Sequence, residues 1–334
     1  MARRRTVLVT GAAGYVAAQL LPDLRRRYTL RLVDVRTKDQ RGRRLPGVIV
    51  ADLTDPDRGR YARLFRGVDT VLHLAYRPQE QGLTGVWGDD PRVLEAVDIE
   101  LVNIRMAQNV YRSALDAGVR RVIVASSNHA TDWYEHALVH RGQRELLSPT
   151  ELPLSDNFYG WSKSAYELLG FVYASGSLGR KLDVVLLRIG ALRDVSGRHY
   201  LGKLVEQHVA PGASGRANFK RDLGAWLSTR DFRQLVRRAI ETRDVRDTHG
   251  VPWLVVYGIS GNTRAFWSLE NARRVLGYAP QDDSEVKSPR DGVRKFRTRG
   301  HYVLFGSNGA IEVQDLKGRT LHQRNGADGH GVPN

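Results

Sequence analysis

The sequence predicts an α/β protein with a doubly wound parallel sheet, followed by a smaller C-terminal region and a β-hairpin tail. From Thr6 to about Ile189, short apolar runs alternate with segments of helical periodicity, a pattern typical of βαβ units. A glycine turn follows the first apolar run directly, and the longer helical segments end at glycines. Beyond Ile189 the alternation weakens into loops rich in glycine and arginine, which indicates a separate, smaller region.

Short apolar runs in the first part of the chain are predicted to be buried strands, because helices cover both faces of a parallel sheet. The runs are Thr6 to Thr10, Leu30 to Val33, Val48 to Val50, Thr70 to Leu74, Arg121 to Ala125 and Val184 to Arg188. Long helices are predicted at Pro91 to Ala117 and at Tyr159 to Ser175. Gly118 and Gly176 close these helices, since glycine readily adopts the left-handed backbone found at many helix ends.

The C-terminal part is predicted to hold fewer elements, which we list in chain order. They are a helix from Asp231 to Glu241, a strand from Trp253 to Tyr257, a helix from Leu269 to Leu276, and a hairpin of His301 to Phe305 and Ala310 to Gln314 around Gly306-Ser307-Asn308-Gly309. We therefore divide the chain into residues 1–190, 191–289 and 290–334, and expect the middle region to shape a ligand site. The last ten residues are predicted to be disordered, and the hairpin to be an oligomer contact or an edge strand.

The composition of the 334 residues is ordinary for a globular protein, with 41% hydrophobic and 26% charged residues. No apolar run approaches the roughly twenty residues of a membrane span. The basic start, Met1 to Arg5, lacks the apolar core of a secretion signal, so we expect a cytoplasmic protein without a membrane partner. Cysteine is absent, which excludes disulfides and thiolate chemistry.

The formal net charge of +16 is the one unusual bulk property. The arginines are spread along the chain and no nucleic-acid-binding motif occurs, so we expect no nucleic-acid partner. A positive field would instead steer a small anionic substrate toward the protein.

The glycine turn predicts a Rossmann-type dinucleotide site in residues 1–190. Gly11 permits a tight turn after the strand, Gly14 lets a pyrophosphate approach the backbone, and Ala17 allows close helix–sheet packing. Asp34 ends the second predicted strand, where its carboxylate can bind ribose hydroxyls and repel a 2′-phosphate, which favours NAD. Arg36 could instead bind such a phosphate, as NADP would require.

Tyr159 and Lys163 predict proton transfer by a tuned phenol. They lie four residues apart on one helix face, so the ammonium of Lys163 can lower the pKa of the Tyr159 phenol. A depression of roughly three units from the ordinary value near 10 would make Tyr159 a base near neutral pH. Ser127, at the end of an earlier strand, would hydrogen-bond the reacting oxygen of a substrate.

These features resemble, in their order and spacing, the extended short-chain dehydrogenase/reductase superfamily with its NAD-dependent epimerases and dehydratases. The matching residues are Gly11, Gly14, Ala17, Asp34, Asp52, Leu53, His73, Leu74, Ala75, Asn103, Ser126, Ser127, Tyr159 and Lys163. Within that superfamily, four segments resemble uronate dehydrogenases: residues 125–129, 187–190, 226–232 and 257–262. The resemblance covers the chain to about Ser288.

The resemblance implies that NAD oxidises the C1 hydroxyl of a cyclic hexuronic acid to a lactone, without a metal. It implies Tyr159 as base, Lys163 as its partner, and Ser127 as a ligand of the substrate oxygen. Asn128 and His129 would bind sugar hydroxyls, although His129 could also be a satisfied loop histidine. The implied cofactor contacts are Gly11, Ala13, Gly14, Tyr15, Val16, Asp34, Asp52, Leu53, Leu74, Ala75, Asn103, Tyr159, Lys163 and Ile189. Such enzymes tend to be homo-oligomers.

Arg188 is implied as the ligand of a substrate carboxylate. Independent support comes from its position, because ligands bind outside the carboxyl ends of parallel strands and guanidinium suits bidentate carboxylate recognition. The alternative is an ion pair between Arg188 and a nearby acid of the protein.

Departures from the uronate dehydrogenase pattern leave the substrate open. Residues 75–78, Ala-Tyr-Arg-Pro, replace a Gly-Gly-Ile-Ser loop, and the segment between His129 and Tyr159 is longer. A nucleotide-sugar epimerase remains an alternative, whereas a dehydratase is disfavoured because Ser127-Asn128-His129 replaces a Thr-Asp-Glu run. A redox-sensing binding protein is disfavoured by the intact Tyr159 and Lys163, and a metal enzyme because His136 and His140 complete no known signature.

Overall fold

One seven-stranded parallel sheet forms the centre of the first structural unit. Its strands are β1 (Thr6–Thr10), β2 (Thr29–Asp34), β3 (Val48–Val50), β4 (Thr70–His73), β5 (Arg121–Ser127), β6 (Asp183–Ile189) and β7 (Trp253–Gly258). Their order is β3-β2-β1-β4-β5-β6-β7, so the direction of strand addition reverses between β1 and β4. Ligands of open parallel sheets bind at the carboxyl edge next to such a reversal.

The computed structural model describes residues 4–78, 92–192, 221, 223–284, 294–298, 301–305, 311–315 and 317–319. The helices are α1 (Tyr15–Arg27), α2 (Arg92–Asp116), α3 (Asp132–Tyr134), α4 (Phe158–Ser175), α5 (Thr229–Glu241) and α6 (Glu270–Leu276). Gly118 and Gly176 follow α2 and α4 with φ angles of 72° and 92°, which confirms the predicted helix ends. In the described part of the chain, no helix is long and apolar enough to cross a membrane.

The packing of α2 against α4 fixes the helix that carries Tyr159. The rings of Tyr111 and Tyr173 stack with their centroids 5.2 Å apart, and the Tyr111 hydroxyl donates to the Tyr166 carbonyl at 3.1 Å. Gly170 faces this contact, and a Cβ there would lie 2.7 Å from the Tyr111 hydroxyl. The buried contact therefore holds α4 close to α2.

The boundary of the first unit differs from the predicted one. Its described residues fall within 1–190, 229–259 and 266–280. The elements α5, β7 and α6 therefore belong to the unit that contains the parallel sheet, and not to the smaller region predicted at 191–289. The physical reason is strand pairing, because β7 continues the sheet in parallel with β6 from Trp253 opposite Val184 to Gly258 opposite Ile189.

The second unit takes its described residues from 191–228, 260–265 and 281 onward. Its antiparallel sheet contains β8 (Arg294–Thr298), β9 (His301–Phe305) and β10 (Ile311–Asp315), with β9 in the centre. The predicted hairpin is thus confirmed as β9 and β10, whereas β8 was not predicted because its sequence is highly charged. The predicted turn at residues 306–309 and the predicted disorder at residues 325–334 lie outside the described residues.

Candidate active site

The glycine turn lies at the carboxyl end of β1, between β1 and the start of α1. Gly11 has φ +67°, and a Cβ there would lie 2.6 Å from the backbone nitrogen of Ala75, so only glycine fits without strain. Asp34 braces the turn, because its carboxylate accepts hydrogen bonds from the Ala13 and Arg36 backbone nitrogens, each at 2.9 Å. The Arg36 side chain is mostly exposed, with its Nε 3.9 Å from Asp34 Oδ1.

These residues fit a dinucleotide. Gly14 caps the thirteen-residue helix α1 without a side-chain hydrogen bond, and the first turn of that helix contains no acidic residue. Backbone N–H groups and the positive end of the helix dipole therefore face the turn, which is the donor set that binds a pyrophosphate. At Gly11 the backbone of Ala75 packs where a side chain would otherwise lie, which holds the turn against the end of β4.

Several predicted cofactor contacts also lie along this edge. Leu74 and Ala75 follow β4 and donate their backbone N–H groups to the Thr10 carbonyl at 3.2 Å and the Thr10 hydroxyl at 3.3 Å. Asp52 is exposed, and its Oδ1 accepts from the nitrogen and hydroxyl of Thr54 at 2.8 and 2.7 Å. A contact between Asp52 and adenine remains a prediction.

Asn103 supports the loop that follows β4. Its amide clamps the backbone of Arg77 at two points, accepting from the nitrogen at 2.8 Å and donating to the carbonyl at 2.9 Å. The clamp fixes the segment that replaces the Gly-Gly-Ile-Ser loop of the uronate dehydrogenase pattern. Asn103 thus shapes the cofactor edge through the backbone, and a direct contact with the cofactor remains a prediction.

Lys163 is buried in a cage of aromatic rings. Its Nζ lies 4.7, 5.4 and 4.8 Å from the ring centroids of Tyr76, Tyr159 and Tyr166, and donates to the Ala125 carbonyl at 3.2 Å. Burial lowers the pKa of Lys163 to about 8, and the nearby carboxylate of Glu100 opposes this shift. The structure thus brings Tyr159 and Lys163 together, as predicted from their spacing.

The expected depression of the Tyr159 pKa is not found in the protein alone. Burial raises the pKa of Tyr159 to about 12, a hydrogen bond with Ser127 lowers it, and the charges of Glu100 and Asp132 raise it further. The prediction of a net depression is wrong here because removal from water disfavours the tyrosinate more than its hydrogen bond stabilises it. The Ser127 hydroxyl is nevertheless close enough to the Tyr159 hydroxyl to lower its pKa, so the two predicted catalytic hydroxyls lie together.

Glu100 is a site residue that the sequence analysis missed. Its side chain is fully buried and accepts hydrogen bonds from the Tyr76 hydroxyl at 2.6 Å and from the Ser162 hydroxyl. In the sequence it is one acid among several polar residues of α2. The only available signal was its position three residues before Asn103, which places both side chains on one helix face.

The predicted sugar-binding residues lie at the end of β5 and directly after it. Ser127 and Asn128 are buried, whereas the His129 side chain remains 38% exposed. The His129 ring lies edge-on to the Tyr159 ring, with the two centroids 5.6 Å apart. These residues therefore meet beside the phenol, where a substrate hydroxyl would have to be.

Arg188 does not have the geometry predicted for a ligand of a substrate carboxylate. Its guanidinium is 1% exposed and binds Glu167 twice, from Nε at 2.9 Å and from Nη2 at 2.7 Å. Its Nη1 donates to the Tyr257 hydroxyl at 3.1 Å. The arginine therefore forms the ion pair with a protein acid that was the alternative, because Glu167 on α4 reaches it from inside the fold.

The structure also gives positions for three further residues named in the sequence analysis, and a contact between Ile189 and the cofactor remains a prediction. Ile189 ends β6 at the same carboxyl edge, with its side chain 9% exposed. His136 and His140 bind Asp156 and Glu135 at 2.7 and 3.2 Å. No cluster of three metal-ligating side chains occurs among the residues that the structure describes.

The parallel sheet, the glycine turn after β1 and the group of Ser127, Tyr159 and Lys163 define a dinucleotide-binding oxidoreductase of the Rossmann type. The chain belongs to the NAD dependent epimerase/dehydratase family, whose model matches residues 7–226.

Individual relatives within this family are dehydrogenases of sugars and sugar acids. The chain is 34% identical to NAD-dependent glucose-6-phosphate dehydrogenase of Haloferax volcanii, over 83% of this chain and 94% of the relative. It is 30% identical to uronate dehydrogenase of Pseudomonas syringae pv. tomato, over 84% of this chain and 83% of the relative. A crystal structure of glucuronic acid dehydrogenase from Chromohalobacter salexigens matches with a TM-score of 0.61 and 26% identity, covering 85% of this chain and 86% of that one. The protein is an NAD-dependent oxidoreductase that acts on a CH–OH group, and NAD is its cofactor.

Proposed function

We propose that the protein oxidises the C1 hydroxyl of a sugar or sugar acid to the lactone, with Tyr159 as the general base. The observation that carries this proposal is the group formed by Ser127, Tyr159 and Lys163 at the carboxyl ends of the strands. The relatives that are named for glucose 6-phosphate and for uronate support a sugar substrate.

Each residue of this group has a distinct task. Ser127 holds the substrate oxygen. Tyr159 takes the proton of that oxygen in its tyrosinate form, which the positive charge of Lys163 beside the phenol favours. The bound NAD supplies the ring that accepts the hydride. Gly11, Gly14 and the start of α1 would hold its phosphates, and Asp34 would hold the adenosine ribose and favour NAD over NADP.

The substrate class is wider than the hexuronates. Since Glu167 already occupies the Arg188 guanidinium, the site does not depend on that arginine to bind a carboxylate. Asn128 and His129 recognise sugar hydroxyls, which aldoses, uronates and sugar phosphates all carry. The net charge of +16 favours the anionic members of this group.

A substrate panel tests the proposal. Purified protein is mixed with NAD and with uronates, neutral aldoses, sugar phosphates and nucleotide sugars, and the absorbance of reduced nicotinamide is followed. We expect accumulation with at least one free sugar, sugar acid or sugar phosphate, together with a lactone detected by mass spectrometry. Interconversion of nucleotide sugars without accumulation would identify an epimerase instead.

A further inference from the structure

His129 is held by a carboxylate from its own turn. Its Nδ1 lies 2.7 Å from Oδ2 of Asp132, three residues further along the chain. The other ring nitrogen, Nε2, lies on the opposite side of the imidazole and has no partner among the described residues. The side chain is 38% exposed and lies beside the Tyr159 ring, so this second nitrogen can meet a substrate.

Asp132 is unusually placed for an acid with a purely structural role. Its side chain is 2% exposed, and its Oδ2 also accepts a hydrogen bond from Asn157 Nδ2 at 2.8 Å. Its Oδ1 is buried without a hydrogen-bond partner in the described part of the chain. Burying a carboxylate with one oxygen that accepts no hydrogen bond is unfavourable. Asp132 therefore fits a functional role better than a role in stability alone.

Asn157 connects this carboxylate to the helix of the general base. Its Oδ1 accepts from the Gly160 nitrogen at 2.8 Å and caps the N-terminus of α4, which begins one residue before Tyr159. Gly160 packs against the His129 backbone, since a Cβ there would lie 2.0 Å from the His129 carbonyl oxygen. A single network therefore fixes His129 and Tyr159 relative to each other.

We propose that Asp132 and Asn157 are positioning residues that present His129 to the sugar. The Asp132 carboxylate accepts a hydrogen bond from Nδ1–H and so leaves Nε2 as the acceptor for a substrate hydroxyl. That hydroxyl is a neighbour of the one deprotonated by Tyr159, and its orientation selects the sugar. This inference rests on the proposed sugar dehydrogenase function.

Two measurements test the proposal, and the first needs neither substrate nor cofactor. Nitrogen-15 NMR of the neutral imidazoles, with His129 identified by His129→Gln, should show the Nδ1–H tautomer in the unmodified protein. It should show mainly the Nε2–H tautomer in Asp132→Leu, which removes the acceptor at similar volume. Nε2–H in the unmodified protein would overturn the inference whatever reaction the enzyme catalyses.

The second measurement compares steady-state constants for whichever sugar the unmodified enzyme oxidises. Asp132→Leu should raise KM for that sugar roughly tenfold, the usual cost of losing a hydrogen bond to a charged group, with little change in NAD affinity. Asp132→Asn keeps an acceptor oxygen and should restore most of the loss. Asn157→Ser keeps a helix cap and should raise KM by a smaller factor.

The possible outcomes distinguish a failure of the positioning role of Asp132 from a failure of the proposed sugar dehydrogenase function. An active unmodified enzyme whose KM is unchanged in Asp132→Leu contradicts the positioning role. If Asp132→Leu does not fold, an unchanged KM in Asn157→Ser or the Nε2–H tautomer in the unmodified protein contradicts it. An unmodified enzyme that oxidises no sugar contradicts the proposed function, while the tautomer measurement still decides the role of Asp132.

Discussion

Removal of the Arg188 guanidinium should destabilise the protein rather than change its substrate. In Arg188→Met, the buried Glu167 loses two of its donors, at 2.9 and 2.7 Å, and among the described residues keeps the Ser126 hydroxyl at 2.7 Å. Breaking a buried ion pair by removing one partner costs about 3–5 kcal/mol, mainly because the remaining charge stays buried. Replacing both partners, in Glu167→Met combined with Arg188→Met, removes that charge and should recover much of the loss.

The assay is urea unfolding of the two single variants and the double variant, together with KM for a uronate and for a neutral aldose. Arg121→Met provides a matched control, because Arg121 is equally buried but binds Asp183 and helix carbonyls away from the site. We expect the unfolding free energy to fall in both single variants, while the ratio of the two KM values stays constant. A stable Arg188→Met with a selective rise in KM for the uronate would refute the reasoning.

Three other perturbations follow from the site. Glu100→Gln removes a charge that raises the pKa values of both Lys163 and Tyr159, so both limbs of the pH–rate profile should move to lower pH. Because the pKa of Lys163 is about 8 in the fold and 10.5 ordinarily, the unfolded chain binds more protons at this residue in that window, so the unfolding free energy of the unmodified protein should rise with pH relative to that of Lys163→Met. Gly11→Ala should cost about 1–3 kcal/mol and weaken NAD binding, measured by calorimetry. Gly42→Ala, strained at φ +75° but with no atom within 4 Å, should leave NAD binding intact.

Periodicity was sufficient to predict most of the sheet, because each buried strand is a nearly continuous apolar run. β5 and β6 illustrate this, since both are almost entirely buried and lie within about two residues of their predicted bounds. The place of β7 was not predicted, because an apolar strand does not reveal which sheet it will join. Only its pairing with β6 shows that it extends the parallel sheet.

The site was predictable where spacing along one element determines geometry. Tyr159 and Lys163 meet because they are four residues apart on α4. Arg188 was misjudged because its partner, Glu167, comes from another element and meets it only in the fold. Glu100 and the net rise of the Tyr159 pKa were missed for the same reason, since burial is a property of the tertiary structure.

The most direct test of the central claim is Tyr159→Phe, measured by sugar-dependent reduction of NAD and by the Kd for NAD. The variant keeps the ring that contacts Lys163, Tyr76 and His129 and loses only the hydroxyl. We expect turnover to fall by at least about a hundredfold, the usual contribution of a general base, with NAD affinity nearly unchanged. Turnover close to that of the unmodified enzyme would contradict the assignment of Tyr159 as the base.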